Sequence, residues 1–309
     1  MVATYQFNIV FGILIAFVSN ALLAKYISND AWRWMIGIEA LPAIIYTVMM
    51  FAIPESPRWL ITAKNNIEAA KQVFRSLYDN EGDIEKQVNL IVNSQKSTDD
   101  AESIFSKKYG IPLSLAFFIA FFNQFSGINA ILYYANRIFA EAGLAEQAGA
   151  LGSIGLGITN FVFTLLGMFL IDRLGRKQLL YIGSVGYIVS LSIVSLCFYN
   201  DWSGMIVPIS LFAFIASHAI GQGAVIWVFI SEIFPNHLRS SGQAFGSSVH
   251  WVLAAIIPSL VPILFNSIGA VTVFAIFAFM MLLQLVWIKM YVPETKGKSL
   301  EAVSESLTN

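Results

Sequence analysis

Long apolar runs fill most of the chain, and clusters of charge fall only between them. A helix needs about 20 predominantly apolar residues to cross a bilayer. Eight stretches meet that requirement, at 5–24, 34–53, 112–133, 149–171, 178–199, 205–230, 244–266 and 268–291. The third and sixth carry apolar text that continues beyond the hydrocarbon. The runs are solid rather than alternating, and an open sheet cannot satisfy its backbone in lipid. The pattern therefore predicts an all-α integral membrane protein, a helical bundle of eight transmembrane helices. Most connections are short, so successive helices should form antiparallel hairpins.

One stretch breaks this pattern. Residues 55–110 are polar enough to lie outside the membrane, and 67–77 place apolar side chains at helical spacing, with Asn65 or Asn66 as the cap. A charge-mixed segment, 93–100, follows. Residues 55–110 are expected to form a small helical linker between 1–54, which hold two spans, and 111–292, which hold six; 293–309 form a tail. Within the spans, Pro258 and Pro262 each remove a backbone donor and predict a kink. Gly152, Gly155 and Gly157 permit close helix approach.

Charge then sets orientation. Of the 18 Lys and Arg, eight lie between the second and third spans, and Arg173, Arg176 and Lys177 fill the turn after the fourth. Arg239 follows the sixth span, and Lys296 and Lys298 lie beyond the last, whereas the alternate connections hold only Lys25, Arg33 and Arg137. The positive-inside rule puts both termini and the linker in the cytoplasm. Composition agrees with a membrane protein: 57% of residues are hydrophobic and 12% charged. A net charge of −1 gives no reason to expect a nucleic-acid partner. The lone cysteine, Cys197, excludes an intramolecular disulfide. The first apolar run lacks the basic flank and cleavage site of a signal peptide.

The third span contains Asn123, Gln124, Ser126, Asn129, Tyr133 and Tyr134, and so many polar groups at mid-membrane need a reason. Asn and Gln offer donors and an acceptor without charge, which suits a neutral polyhydroxylated ligand. Ser126, Asn129 and Tyr133 share one helical face. Gln124 joins that face only if the helix unwinds near Gly127, as transporter helices do at their sites. Interhelical hydrogen bonding is the alternative.

Two strings frame the chain, Pro54-Glu55-Ser56-Pro57-Arg58 and Pro293-Glu294-Thr295-Lys296-Gly297, each closing an apolar run. Their repetition suggests two related halves, with room for only two spans before the first string. These strings resemble those of the sugar porter family of the major facilitator superfamily, the glucose, xylose and inositol-type transporters. The polar run resembles that family's Q-Q-x-S-G-x-N-x-x-x-Y-Y, with Asn123 in place of the first Gln. Asp172-Arg173-Leu174-Gly175-Arg176-Lys177 and the spacing from Glu232 to Arg239 fit two further family elements. The resemblance begins at the family's fifth helix of twelve, which implies that four helices are missing ahead of Met1.

By this resemblance, the sugar site takes Gln6 from the first span, Asn123, Gln124, Asn129 and Tyr133 from the third, and Asn160 from the fourth. Trp227 and Trp251 would line it, each offering a flat apolar face and one N–H donor. Trp251 reads equally as an interfacial belt residue. Two departures stand out. Gly221 to Trp227 lacks the family's proline, which puts its helix break in doubt, and His250 replaces another polar residue. Gln222 is expected to add a polar contact, and His250 to pack or touch sugar.

Glu232 is costly at a helix end unless paired, and Arg173, Arg176 and Arg239 are the available partners. With Asp172, Glu55, Arg58 and Glu294, these charges form an expected cytoplasmic latch. The resulting expectation is a sugar or polyol transporter of the inner or plasma membrane, working by alternating access, with protons as a candidate coupling ion and no cofactor or metal. A membrane enzyme is disfavoured because His218, His237 and His250 lie on separate segments without zinc or hydrolase spacing. The competing reading is a truncated remnant or sugar sensor that does not transport.

Overall fold

The computed structural model describes residues 2–27, 30–78, 80–96, 103–145, 151–202 and 204–308. Met1, residues 97–100 of the charge-mixed segment and the start of the fourth predicted span at 149–150 lie outside them. Contacts divide the chain into two units, Asn29–Ser103 and Met1–Ser28 with Ile104–Asn309.

In the smaller unit, α2 (Ala31–Gly37) and α3 (Ala40–Met50) are apolar yet bury no residue. Three short helices follow: α4 (Pro57–Thr62), α5 (Ile67–Arg75) and α6 (Glu81–Lys96). Proline opens α4, where its missing N–H costs nothing. Of the two candidate caps for α5, Asn66 serves, accepting the Ala69 N–H at 3.0 Å. Leu60, Ile61, Ala70, Phe74, Ile84 and Val88 make a small separate core.

The larger unit starts with α1 (Val2–Tyr26) and resumes with α7 (Gly110–Phe125), α8 (Ile128–Glu141), α9 (Leu156–Leu174) and α10 (Arg176–Tyr199). It continues through α11 (Ile206–His218), α12 (Ala224–Glu232), α13 (Arg239–Tyr291) and α14 (Leu300–Thr308). Its core runs through the helices, with Ile119, Phe139, Tyr187, Phe214, Phe229, Phe274 and Met281 all enclosed. The contacts divide at 28/29 and 103/104. Aromatic packing explains the placing of α1: Phe7 and Phe11 lie 5.9 and 6.0 Å from Phe161 of α9. Close approach also uses Gly157, where a β-carbon would stand 2.9 Å from the Phe17 ring. The predicted tail folds too, with Val303 and Leu307 joining the core from α14.

Seven helical stretches among the described residues are long and apolar enough to cross a membrane. The last is α13, whose 53 residues would span about 80 Å at 1.5 Å per residue, far beyond a hydrocarbon layer of about 30 Å. Gly269 interrupts it with φ 79° and ψ 158°, two residues past the predicted gap at 267 and just inside the predicted eighth span. Pro258 and Pro262 lie inside the first part, and the only non-helical backbone recorded in α13 is at Gly269.

Candidate functional site

The polar run unwinds where its glycine stands. α7 stops at Phe125, Gly127 takes φ 82° and ψ 12°, and α8 restarts at Ile128. A β-carbon at Gly127 would meet the Phe277 ring at 2.6 Å, so both its backbone and its space require glycine. Ser126 closes the break: its hydroxyl donates to the Asn123 carbonyl at 2.6 Å and accepts the Ile128 N–H at 3.3 Å. It is fully buried and does not share the face of Asn129 and Tyr133.

Unwinding turns Gln124 into the centre of a network. Its amide nitrogen donates to Asn123 Oδ1 at 3.0 Å and lies 3.2 Å from the ring nitrogens of His250. Its carbonyl accepts from Asn129 Nδ2 at 2.9 Å. Both N–H groups of Gln124 are thereby engaged, which leaves free amide valences on Asn129 and on the Asn123 amide nitrogen among the described residues. These groups border a cavity of about 350 Å³. Gln6, Asn123, Gln124, Asn129, Tyr133, Asn160, Trp227 and Trp251 all line it, with His218 and His250. No Asp, Glu, Lys or Arg is among the lining residues. His250 lies between the two tryptophans, 5.0 Å from each ring. Trp227 is buried, while Trp251 and Tyr133 are more than half exposed.

A second polar cluster lies where α9 meets α10. Gly175 turns the chain at φ 93°, and the Glu294 carboxylate accepts the Arg176 and Lys177 backbone N–H groups, each at 3.0 Å. An anion there complements the helix N-terminus. Arg176 grips Glu232 with two bonds, at 2.7 and 3.1 Å, and reaches Asp172 at 3.3 Å. Thr295 Oγ1 donates to Glu232 at 2.6 Å.

Other expected latch members stand elsewhere. Arg173 lies over the Phe169 ring at 4.0 Å, and its carbonyl accepts from Lys296 Nζ. Arg239 keeps Nε and Nη2 buried without a hydrogen-bond partner among the described residues. Glu55 belongs to the other unit and pairs with Lys64 at 3.0 Å. Arg58 has no recorded ion pair among the described residues.

The family profile described as "Sugar (and other) transporter" matches residues 1–307. The chain belongs to that family. Among sugar transporter relatives, it is 34% identical over 306 residues to the glucose transporter GlcP of Staphylococcus epidermidis, covering 98% of this chain and 68% of that protein. It is 29% identical over 315 residues to the D-xylose-proton symporter of Escherichia coli K12, covering 97% and 63%. A solved structure of the proton:xylose symporter XylE of the major facilitator superfamily, bound to 6-bromo-6-deoxy-D-glucose, superposes with a TM-score of 0.80 at 28% identity. That match covers 99% of this chain and 66% of the other. The chain thus spans about two-thirds of the length of these relatives. The family match begins at residue 1 and lends no support to the expectation of four absent helices. The relatives are integral membrane transporters, not enzymes.

The sugar transporter fold also resolves the missing proline. Between α11 and α12 the backbone forms a π-helical turn, Ala219–Gly223, in place of a proline break. Gly221 sits there against Gly183 of α10, where a β-carbon would meet the Gly183 Cα at 2.9 Å. Gln222 does not add the expected contact to the cavity. It is 1% exposed, does not line the cavity, and neither amide atom has a partner among the described residues. The π turn carries it to the protein side. Sequence reasoning missed His218, whose only signal was a polar residue within the sixth apolar run.

Proposed function

We propose that this chain carries the sugar-binding part of a membrane transporter for a neutral monosaccharide or polyol, working by alternating access. One observation supports this most directly: eleven polar or aromatic side chains converge on a cavity lined, among the described residues, by no acidic, lysine or arginine residue. Uncharged amides with unspent valences suit hydroxyl groups, and indole faces suit sugar C–H groups. A cavity of about 350 Å³ falls at the low end of ligand pockets, a size for one sugar ring. Within the cavity, Asn129 is the direct ligand, and Gln124 fixes the positions of Asn123, Asn129 and His250.

The same reading makes α13 two crossings divided at Gly269, giving eight in all, with both termini cytoplasmic in the cell membrane. The linker 55–110 joins the two spans of 1–54 to the six of 111–292. The charged cluster around Arg176 is the cytoplasmic latch, and the likeness to a proton symporter extends the reading to proton coupling. The test is binding of D-glucose and D-xylose to the purified chain, followed by tryptophan fluorescence, with uptake into liposomes measured beside it. Saturable binding that Asn129→Ala weakens about tenfold supports the reading. A wild-type chain that is folded and binds neither sugar overturns it. Uptake by the 309-residue chain decides between a working transporter and a sugar-binding remnant or sensor.

A further inference from the structure

His218 is the last residue of α11 and is 9% exposed, its remaining surface turned to the cavity it lines. Its Nδ1 lies 2.7 Å from the hydroxyl of Tyr187 on α10. Tyr187 is completely enclosed, its ring 5.2 Å from Phe214, and His218 is its hydroxyl's only partner among the described residues. Two arrangements of the protons satisfy that contact. If His218 donated from Nδ1, the tyrosine O–H would point into an apolar core with nothing to accept it. An orphaned buried donor costs about 1–3 kcal/mol, whereas an unused oxygen lone pair costs far less. The hydroxyl therefore donates to Nδ1, and the imidazole proton sits on Nε2.

The free edge of the ring faces the ligand space. Its Cδ2 lies against Gly223, where a β-carbon would stand 3.3 Å away, and Gly223 itself lines the cavity. The contrast with His250 is chemical. Gln124 donates toward His250, so the ring nitrogen that it meets is an acceptor. With both N–H groups of Gln124 spent inside the wall, a fixed donor elsewhere becomes valuable for recognition.

We propose that His218, oriented by Tyr187, is a specificity-determining residue that donates from Nε2 to an oxygen of the bound sugar. This rests on the cavity being a sugar site. Its test has two arms, both on the full 309-residue chain. In nitrogen NMR of the histidine-labelled protein, His218 should show the Nε2–H tautomer, and Tyr187→Phe should shift it toward Nδ1–H. An Nδ1–H signal in the wild-type chain overturns the proposal without touching the sugar reading.

The second arm measures affinity for D-glucose and its deoxy and deoxyfluoro analogues. His218→Phe should weaken D-glucose binding about tenfold, and His218→Gln, which keeps a donor, should recover most of it. At one ring position, removing the hydroxyl should abolish the difference between wild type and His218→Phe. Replacing it by fluorine, an acceptor without a proton, should preserve part of that difference. Unchanged D-glucose affinity in His218→Phe, with Asn129→Ala still impaired, overturns the donor role alone. Failure of the wild-type chain to bind any of these sugars overturns the sugar reading and this proposal with it.

Discussion

The cavity network and the cluster around Arg176 are both polar and both enclosed, yet they are built from opposite materials. Around Gln124 every member is neutral, and Asn129 keeps valences to spare. Around Arg176 the members are ions, and the two-bond grip on Glu232 leaves the guanidinium only 11% exposed. α9 links the two: Asn160 lies 14 residues before Leu174, about 21 Å along the helix axis. Charge-assisted two-point bonds are roughly twice as strong as neutral ones. A neutral network can exchange a protein partner for a ligand hydroxyl at little net cost. An ion pair of this kind opens only when something else replaces it. On the proposed reading, recognition and locking are separated along one helix by the type of group employed.

The largest way to break that contrast is Glu232→Ala, which leaves Arg176 charged and nearly enclosed. We expect a loss of about 3–5 kcal/mol, read as a fall in thermal stability in detergent, with part recovered by adding Arg176→Gln. Next comes Gly127→Ala. The left-handed backbone alone should cost about 1–3 kcal/mol, and Phe277→Ala should relieve only the collision. Tryptophan-monitored sugar binding should weaken together with stability, because the break positions Gln124.

A finer comparison sets Gln124→Ala against Asn129→Ala. Both should weaken sugar binding about tenfold or more, but only Gln124→Ala should also lower the melting temperature, since it orphans groups on Asn123, Asn129 and His250. Equal melting temperatures would assign Gln124 to the ligand instead of the wall. The smallest effect belongs to Asp172→Asn. Its carboxylate is 82% exposed, although it touches the same guanidinium as Glu232. A change of about 0–1 kcal/mol is expected in the same melts.

These contrasts were unevenly readable beforehand. The spans stand out because solid apolar text leaves little choice, and Gly269 lies two residues from the predicted gap at 267. Gln124 reached the cavity by the route that the chain foreshadows, unwinding at Gly127. Its bonds could not be foreseen, since His250 lies 126 positions away. The same distance problem hid the pairing of Tyr187 with His218. Arg239 shows the converse: a suitable charge at a suitable spacing has two buried nitrogens without a partner among the described residues, while Arg176 bonds Glu232.

The π-helical turn at Ala219–Gly223 has a further consequence for the aromatic wall. Such a turn, bonded i to i+5, holds about one residue more than an α turn. Each residue of an α-helix advances the azimuth by about 100°. Were the same residues to run as regular α-helix, without the wide turn, Trp227 would swing about 100° around the helix axis relative to His218. The cavity would lose its buried indole while the hydropathy profile stayed almost unchanged. Local winding in this segment, more than composition, keeps the aromatic wall in register.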